Sequence, residues 1–164
     1  MSKTIDDLKA AFAGESQANR KYLAYAAQAD KDGFPQVAKL FRAAAEAETI
    51  HAHAHLRLMG GLRGTKENLE DAIAGETHEF TKMYPAMIED AKAEGHAQAL
   101  RYFTFANAVE EVHANLYKKA LAAMDKLPAT SYHVCSVCGY TCEDHAPDKC
   151  PVCQAGAKAF FEVK

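Results

Sequence analysis

Four cysteines near the C-terminal end of this 164-residue sequence have the spacing of a metal site. Cys135 and Cys138 form one Cys-x-x-Cys pair, and Cys150 and Cys153 form a second pair after eleven intervening residues. Two such pairs can place four thiolates at the corners of a tetrahedron, which is a strong signal for an all-thiolate site. Thiolates alone do not distinguish zinc from iron, and a zinc ribbon that only stabilises the tail is the structural alternative. Cys142 belongs to neither pair and is predicted to be a free thiol.

A second metal-binding pattern repeats along the first three-quarters of the chain. The motif Glu-x-x-His occurs at residues 48–51 and again at 110–113, and the sequence Ala-Gly-Glu occurs at 13–15 and again at 74–76. The two shifts, 62 and 61 residues, are almost equal. This repetition predicts a duplicated helical hairpin whose halves are related by a pseudo-two-fold axis.

Composition and turn residues predict the helices that position these motifs. Alanine supplies 33 residues, 28 of them before Pro128, and alanine strongly favours helix. Gly33, Gly60 with Gly61, and Gly95 separate four segments with a helical period, which are residues 4–30, 34–59, 65–94 and 96–126. A proline inside the third segment, Pro85, predicts a kink. Short connections between consecutive helices predict antiparallel neighbours in an up-down bundle with one longer link between halves.

An apolar stripe with alternating steps of three and four residues follows each helix, and we call it the seam. Its members include Phe12, Tyr22, Val37, Phe41, Leu58, Leu69, Met87, Phe103, Tyr117 and Met124. Every seam is interrupted by one glutamate near its middle, about 25 Å from the turn of its hairpin. Spacing of three residues places each histidine of Glu-x-x-His on the same face as its glutamate. Seven side chains therefore converge on one layer: Glu15, Glu48, His51, Glu76, Glu79, Glu110 and His113.

Burying several ionised carboxylates together costs several kcal/mol each unless their charge is compensated. Two divalent ions would supply that charge, and a carboxylate-rich site with one imidazole per metal suits iron or manganese. Di-iron and di-manganese helical bundles use this arrangement. The structural alternative is a solvated face with incidental Glu-x-x-His pairs. We predict that Glu111, His53, His78 and His96 lie at the surface, and that His55 supports the site or packs.

Overall charge and hydropathy exclude two broad classes of function. The 19 lysines and arginines nearly balance the 22 aspartates and glutamates, so the chain lacks the basic footprint of a general nucleic-acid binder. No apolar run approaches the roughly 20 residues that span a bilayer. Clustered cysteines without a recognisable secretory leader predict a reducing compartment and a cytoplasmic location.

Together these motifs resemble the rubrerythrin family over essentially the whole chain. The resemblance lies in residues 11–18, 31–34, 74–79, 83–85 and 110–113, and in both cysteine pairs. It implies a ferritin-like four-helix bundle at residues 1–127, a linker at 128–132 and a rubredoxin-like domain at 133–164.

The resemblance also implies roles for particular residues. It assigns two irons to the seven glutamates and histidines, with Glu48 and Glu110 as bridging ligands and with Glu79 and His51 exchanging on one iron when the oxidation state changes. Tyr22 and Tyr84 would hydrogen-bond the carboxylates. The four paired cysteines would hold a single iron.

The activity implied by the resemblance is reduction of hydrogen peroxide to water as a defence against oxidative stress. No G-x-G-x-x-G nucleotide fingerprint follows a strand, so electrons would come from a separate reductase or rubredoxin, with NAD(P)H as the ultimate source. We place the cysteine domain beyond the end of the fourth helix, too far for rapid transfer within a chain, and therefore predict a head-to-tail homodimer. The alternatives are a ferroxidase that handles iron and a zinc-occupied interaction module without redox activity.

Overall fold

The computed structural model describes residues 2–164, and its helices follow the four predicted segments. Alanine-rich sequence without internal breakers forms the first, second and fourth segments as single α-helices. The third segment is divided into two α-helices. The bounds are α1 Lys3–Lys31, α2 Pro35–Leu58, α3 Thr65–His78, α4 Tyr84–Ala93 and α5 Ala97–Ala122.

The division of the third segment differs in detail from the predicted kink at Pro85. A π-helical segment, Glu79–Met83, separates α3 from α4, so the irregular turn lies before the proline. Pro85 has no N–H, and its ring would clash with the carbonyl four residues earlier in a regular α-helix. The preceding turn therefore widens, as π segments do. Glu79 is the first residue of this wider turn.

The chain forms two compact units, which meet in sequence at Arg63 and Gly64. In the first unit, α1 and α2 form an antiparallel hairpin with a tight turn at Gly33, whose φ of +81° suits glycine. Its buried core consists of small residues, Ala26, Ala29 and Ala38, with Phe41 packed against them. This hairpin brings the first pair of predicted metal-binding helices together.

The second unit, Gly64–Lys164, contains the other helices and the cysteine domain. The helices α3 and α4 pack against α5. The fourth predicted segment is shorter than expected as an α-helix, because α5 ends at Ala122 and a 3₁₀ turn covers Met124–Lys126. Pro128 follows this turn and prevents further helix.

A small antiparallel sheet carries the cysteines, and we call residues 132–162 the knuckle. Its strands are β1 Tyr132–Cys135, β2 Thr141–Glu143 and β3 Phe160–Glu162, in the spatial order β2-β1-β3. The register pairs His133 with Cys142 and Cys135 with Phe160. Between the strands, loops carry three of the four paired cysteines.

The fold class predicted from sequence is confirmed: four helical segments are followed by a small sheet domain that carries four clustered cysteines. The domain boundaries at 127 and 133 stay a prediction. Among residues 2–164, no helix is both long and apolar enough to cross a membrane.

Candidate metal centre

The four paired cysteines form one cluster in the knuckle. One ligand atom from each of Cys135, Cys138, Cys150 and Cys153 lies within 4.8 Å of all the others. The Sγ atoms of Cys135 and Cys153 are 3.7 Å apart, and those of Cys138 and Cys150 are 3.5 Å apart. A tetrahedral site with metal–sulfur bonds of about 2.3 Å has an edge of about 3.8 Å, so these separations suit a shared ion. All five cysteines are free thiols, and no disulfide competes for these sulfurs.

Backbone amides support the thiolates. The amides of Val137 and Cys138 donate hydrogen bonds to the sulfur of Cys135, and Tyr140 does the same for Cys138. Burial alone would raise the pKa of Cys135, but these amide hydrogen bonds lower it below the ordinary value. Cys142 lies outside the cluster, with its sulfur 3.8 Å from the carbonyl oxygen of His133, as the spacing predicted.

The first helical hairpin brings three predicted ligands together. Ligand atoms of Glu15 on α1 and of Glu48 and His51 on α2 lie within 4.8 Å of one another. The Nδ1 atom of His51 is 2.9 Å from Oε2 of Glu48. The Glu48 side chain is only 18% exposed, whereas that of His51 is 55% exposed. These three side chains form one carboxylate and imidazole group with an open side.

A matching group lies in the second unit. Ligand atoms of Glu76 on α3 and of Glu110 and His113 on α5 lie within 4.8 Å of one another. The Nδ1 atom of His113 is 2.8 Å from Oε2 of Glu110 and 3.8 Å from Oε1 of Glu76. The two hairpins thus repeat the same chemistry, as the sequence repeat predicted. Six of the seven predicted ligands belong to these two groups.

Crowding of acids is pronounced in the second group. Burial, a hydrogen bond with Glu110 and the negative charges of Glu110 and Glu79 raise the pKa of Glu76 from 4.5 to about 7. Burial and the charge of Glu110 also raise the pKa of Glu79, whereas His78 and His113 oppose that rise. Glu79 therefore lies within electrostatic range, although it is outside the compact group of three. A divalent cation would relieve this repulsion.

Two tyrosines lie near the acids of the second unit. Burial, followed by the charges of Glu110, Glu79 and Glu76, raises the pKa of Tyr84. The pKa of Tyr117 rises through burial and the charges of Glu76 and Glu110.

Sequence reasoning placed Tyr117 on a seam but gave it no role. Its position four residues after His113 was the available signal.

Tyr22 has different surroundings. Its ring lies 6.1 Å from that of Phe41 and 6.3 Å from that of Tyr25. Among the described residues, no carboxylate hydrogen bond is present for Tyr22, so its predicted role stays a prediction. The buried polar residue beside the first group is Asn19, which donates to the carbonyl of Ala45 at 2.7 Å and to the hydroxyl of Thr49 at 2.8 Å.

The knuckle contacts the second group directly. Nε2 of His113 and the hydroxyl oxygen of Thr141 on β2 are 3.0 Å apart. That hydroxyl donates to the carbonyl of Gly139 at 3.1 Å, so it accepts the Nε2–H of His113. The Nδ1 lone pair of His113 is then free to bind a metal, and Thr141 acts as the outer partner that such histidines commonly have.

This contact shows that one sequence-based premise was wrong. We had placed the knuckle beyond the end of the fourth helix and far from the carboxylates. Instead the chain reverses after Lys126, and β2 lies beside His113, nine residues or about 14 Å before the end of α5. The premise failed because helix length alone cannot show that a tail folds back. The head-to-tail dimer loses this argument and stays a prediction.

The remaining predicted surface residues lie where expected. Glu111, His53, His78 and His96 are exposed. His55 is half-buried, and its Nδ1 atom has no hydrogen-bond partner within residues 2–164. These positions add no ligand to either carboxylate group.

Oxygen-rich groups with one imidazole each, and a separate four-thiolate group, fit two hard-ligand metal positions and one soft-ligand position. In both histidines Nδ1 faces a carboxylate oxygen at less than 3 Å. For His113 two acceptors approach each other there, which requires a shared proton or a cation. The residues present therefore fit a di-iron site with glutamate and histidine ligands and a rubredoxin-type iron.

Comparison with known proteins identifies both parts of the chain. Residues 6–121 match the family model described as Rubrerythrin, and residues 133–161 match the one described as Rubrerythrin, rubredoxin-like domain. The first match alone covers more than half of the chain. It includes all seven predicted carboxylate and imidazole ligands, and the second match includes the four paired cysteines.

Individual relatives agree with this result. Nigerythrin of Nitratidesulfovibrio vulgaris is 36% identical, over 93% of this chain and 83% of the relative. Rubrerythrin of the same organism is 34% identical, over 99% of this chain and 94% of the relative. A solved structure of nigerythrin in its fully reduced, all-ferrous state superposes with a TM-score of 0.61 at 34% identity, covering 99% of this chain and 88% of that one. With two cysteine pairs, two Glu-x-x-His motifs and both family matches in agreement, this chain belongs to the rubrerythrin family.

Proposed function

We propose that this protein is a peroxidase that reduces hydrogen peroxide to water in defence against oxidative stress. The reaction takes up two electrons and two protons for each peroxide, breaks the O–O bond and releases two water molecules. Membership of the rubrerythrin family supports an oxidoreductase with a di-iron site and a rubredoxin-like iron. When bound, the di-iron centre supplies the two electrons, and the carboxylates offset the charge that the metals gain.

The observation that carries this proposal is the hydrogen-bonded connection from the carboxylate group to the knuckle. His113 lies 2.8 Å from Glu110 through Nδ1 and 3.0 Å from Thr141 through Nε2. Thr141 in turn binds the carbonyl of Gly139, which directly follows Cys138. A short path of hydrogen bonds therefore joins the two donor sets within one chain. Such a connection suits transfer of single electrons from the thiolate iron.

The residues around the second group can hold protons for the reaction. Tyr84 and Tyr117 keep their phenolic protons at neutral pH, because burial and nearby acids raise their pKa. Each hydroxyl can therefore donate a hydrogen bond to a peroxide oxygen that approaches the carboxylates. The Thr141 hydroxyl holds the His113 ring in one tautomer and orientation. We assign Glu15, Glu48, Glu76, Glu79, Glu110, His51 and His113 as the metal ligands, with Tyr22 and Tyr84 as hydrogen-bonding partners.

We place the protein in the cytoplasm, where four free thiolates remain reduced. Its electrons would come from a separate reductase or rubredoxin that draws on NAD(P)H.

Stopped-flow spectroscopy tests the peroxidase directly. Anaerobically iron-loaded protein is reduced and mixed with one equivalent of hydrogen peroxide, while the visible absorption of the thiolate-bound iron is followed. We expect rapid reoxidation in the wild type and at least a 100-fold slower rate in Glu110→Ala. Glu111→Ala is the matched control, since this adjacent side chain is exposed and outside both groups.

The same experiment distinguishes the alternatives. Equal rates for Glu110→Ala and wild type would refute the di-iron assignment. Reaction with dioxygen that is faster than with peroxide, accompanied by growth of a mineral, would favour a ferroxidase. A protein isolated with zinc in both kinds of site, and inert to peroxide after iron loading, would favour the interaction module.

A further inference from the structure

Each helical hairpin contains half of a di-metal ligand set. Glu15, Glu48 and His51 belong to the first compact unit, and Glu76, Glu110 and His113 belong to the second. Each half consists of one glutamate from one helix and a Glu-x-x-His motif from the next. Di-iron carboxylate bundles combine two such halves in one centre. The question is which two hairpins meet.

The link between the hairpins is short. Only six residues, Met59 to Gly64, separate the end of α2 at Leu58 from the start of α3 at Thr65. A fully extended link of this length reaches at most about 25 Å. Ferritin-like bundles instead use a long crossover between their halves, because the second hairpin begins at the opposite end of the bundle.

The required span follows from the levels of the ligands. Glu48 lies ten residues before Leu58, and Glu76 lies eleven residues after Thr65. Bringing both glutamates to one layer with oppositely directed hairpins separates the two link ends by about 31 Å along the bundle. A sideways step of 8–10 Å between helices adds to this distance. The link in this chain is therefore too short to close a ferritin-like bundle on itself.

Seam residues that should face a bundle interior are exposed in the structure. Leu58 is 69% exposed and Val37 is 45% exposed on the first hairpin, while Met124 and Tyr117 are 42% and 37% exposed in the second unit. The buried apolar side chains of α1 and α2 are all alanines. Apolar faces of helices are stable when another element covers them.

A cavity of about 360 Å³ lies on the second unit beside its metal-binding group. Leu69 of α3, His113 and Tyr117 of α5, and Thr141 of the knuckle line it. The lining is mainly apolar apart from these few groups, and His113 is already one of the predicted ligands. A helix that covers this cavity would approach the half of the ligand set that needs completion.

We infer that two copies of this chain exchange hairpins, so that α1 and α2 of one copy pack on α3 to α5 of the other. Each di-metal centre then takes Glu15, Glu48 and His51 from one copy and the second set, Glu76, Glu79, Glu110 and His113, from its partner. The inference rests on the di-metal site of the proposed function. Reciprocal exchange of an identical element closes a dimer with two-fold symmetry. It satisfies both ligand sets without a longer link.

Complementation between two defective variants tests the exchange. Glu48→Gln with His51→Gln damages the first half, and Glu110→Gln with His113→Gln damages the second. The two full-length variants are co-expressed with different tags, and the heterodimer is purified over both tags. With exchange, one of its two centres combines both intact halves, so the heterodimer binds two carboxylate-bound irons that both homodimeric variants lack. Without exchange, every centre is damaged, and iron at the homodimer level overturns the inference.

A second measurement uses wild-type protein and needs no metal. Chains labelled with ¹⁴N and ¹⁵N are refolded together and crosslinked, and crosslinked pairs joining α1 or α2 to α3, α4 or α5 are analysed by mass spectrometry. Exchange predicts that about half of these pairs contain one light and one heavy peptide. Pairs of a single isotope only would overturn it, as would a monomer in sedimentation. A heterodimer that binds two irons yet leaves peroxide unreduced contradicts the peroxidase and supports the exchange.

Discussion

The His113 imidazole and the Thr141 hydroxyl form a 3.0 Å hydrogen bond between residues that lie 28 positions apart in the sequence. This bond connects the carboxylate group on the helices with the strand that follows the first cysteine pair. Because Thr141 also donates to Gly139, the direction of the bond is determined, and Nδ1 of His113 faces Glu110 with a free lone pair. One threonine thus influences a metal ligand and the approach of the knuckle together.

Replacing Thr141 with valine should weaken that connection while keeping the shape of the side chain. We expect a loss of about 10-fold or more in iron affinity of the carboxylate site or in the reoxidation rate of the thiolate iron, the usual effect of removing an outer partner of a metal-bound histidine. Thr141→Ser should restore most of it. Thr130→Val is a matched control, since the Thr130 hydroxyl binds Asp144 elsewhere in the knuckle. Equal effects of both valine variants would contradict the assignment.

The five cysteines should separate into four ligands and one bystander. Cys150→Ser removes a fully buried thiolate from the cluster, and we expect loss of the visible iron–thiolate absorption together with a less stable knuckle. Cys142→Ser is the control, because its sulfur contacts only the carbonyls of His133 and His145. Absorption spectra and metal analysis of both variants check this. Loss of the band in Cys142→Ser would argue against the four-cysteine assignment.

Asn19 should stabilise the first hairpin at the level of its ligands. It lies one turn after Glu15, and its amide binds Ala45 and Thr49 on the facing helix. Asn19→Ala removes both bonds from a buried position, and we expect a loss of about 1–3 kcal/mol in the free energy of unfolding. Chemical denaturation followed by circular dichroism measures the change, with Gln17→Ala at an exposed position as the control. A loss no larger than that of the control would show that these bonds contribute little.

The metal-free protein should become less stable as pH rises from about 5 to about 8. In the folded state the pKa of Glu76 is raised to about 7, so between its ordinary pKa and 7 the folded chain holds a proton that the unfolded chain has released. The free energy of unfolding therefore falls across this window as Glu76 ionises. Glu76→Gln should flatten the pH dependence, and so should added iron, whose charge offsets the carboxylates.

Thermal melts at a series of pH values measure this effect. The exposed Glu70→Gln variant on the same helix serves as the control, since Glu70 belongs to neither metal-binding group. An identical slope for wild type and Glu76→Gln would contradict the role assigned to burial and to the neighbouring acids.

Local patterns were sufficient to predict the helices and the identity of the candidate ligands. The spacing of three in Glu-x-x-His places both side chains on one helix face in any context, and the Cys-x-x-Cys pairs are equally local. The π segment before Pro85 was missed, because proline disfavours the α-helix without specifying which neighbouring turn adjusts. Tyr117 was visible on a seam, but spacing alone could not separate a core residue from a neighbour of the acids.

The amino-acid sequence by itself determined the helical segments, the duplicated half-sites and the four-thiolate group, because each depends on residues within a turn or two of one another. Only the tertiary structure decided that the chain reverses after Lys126 and brings Thr141 to His113. It also showed how far burial and neighbouring charge shift the pKa of Glu76. These features depend on contacts between residues distant in the chain, and the spacing of a motif carries no information about the path between them.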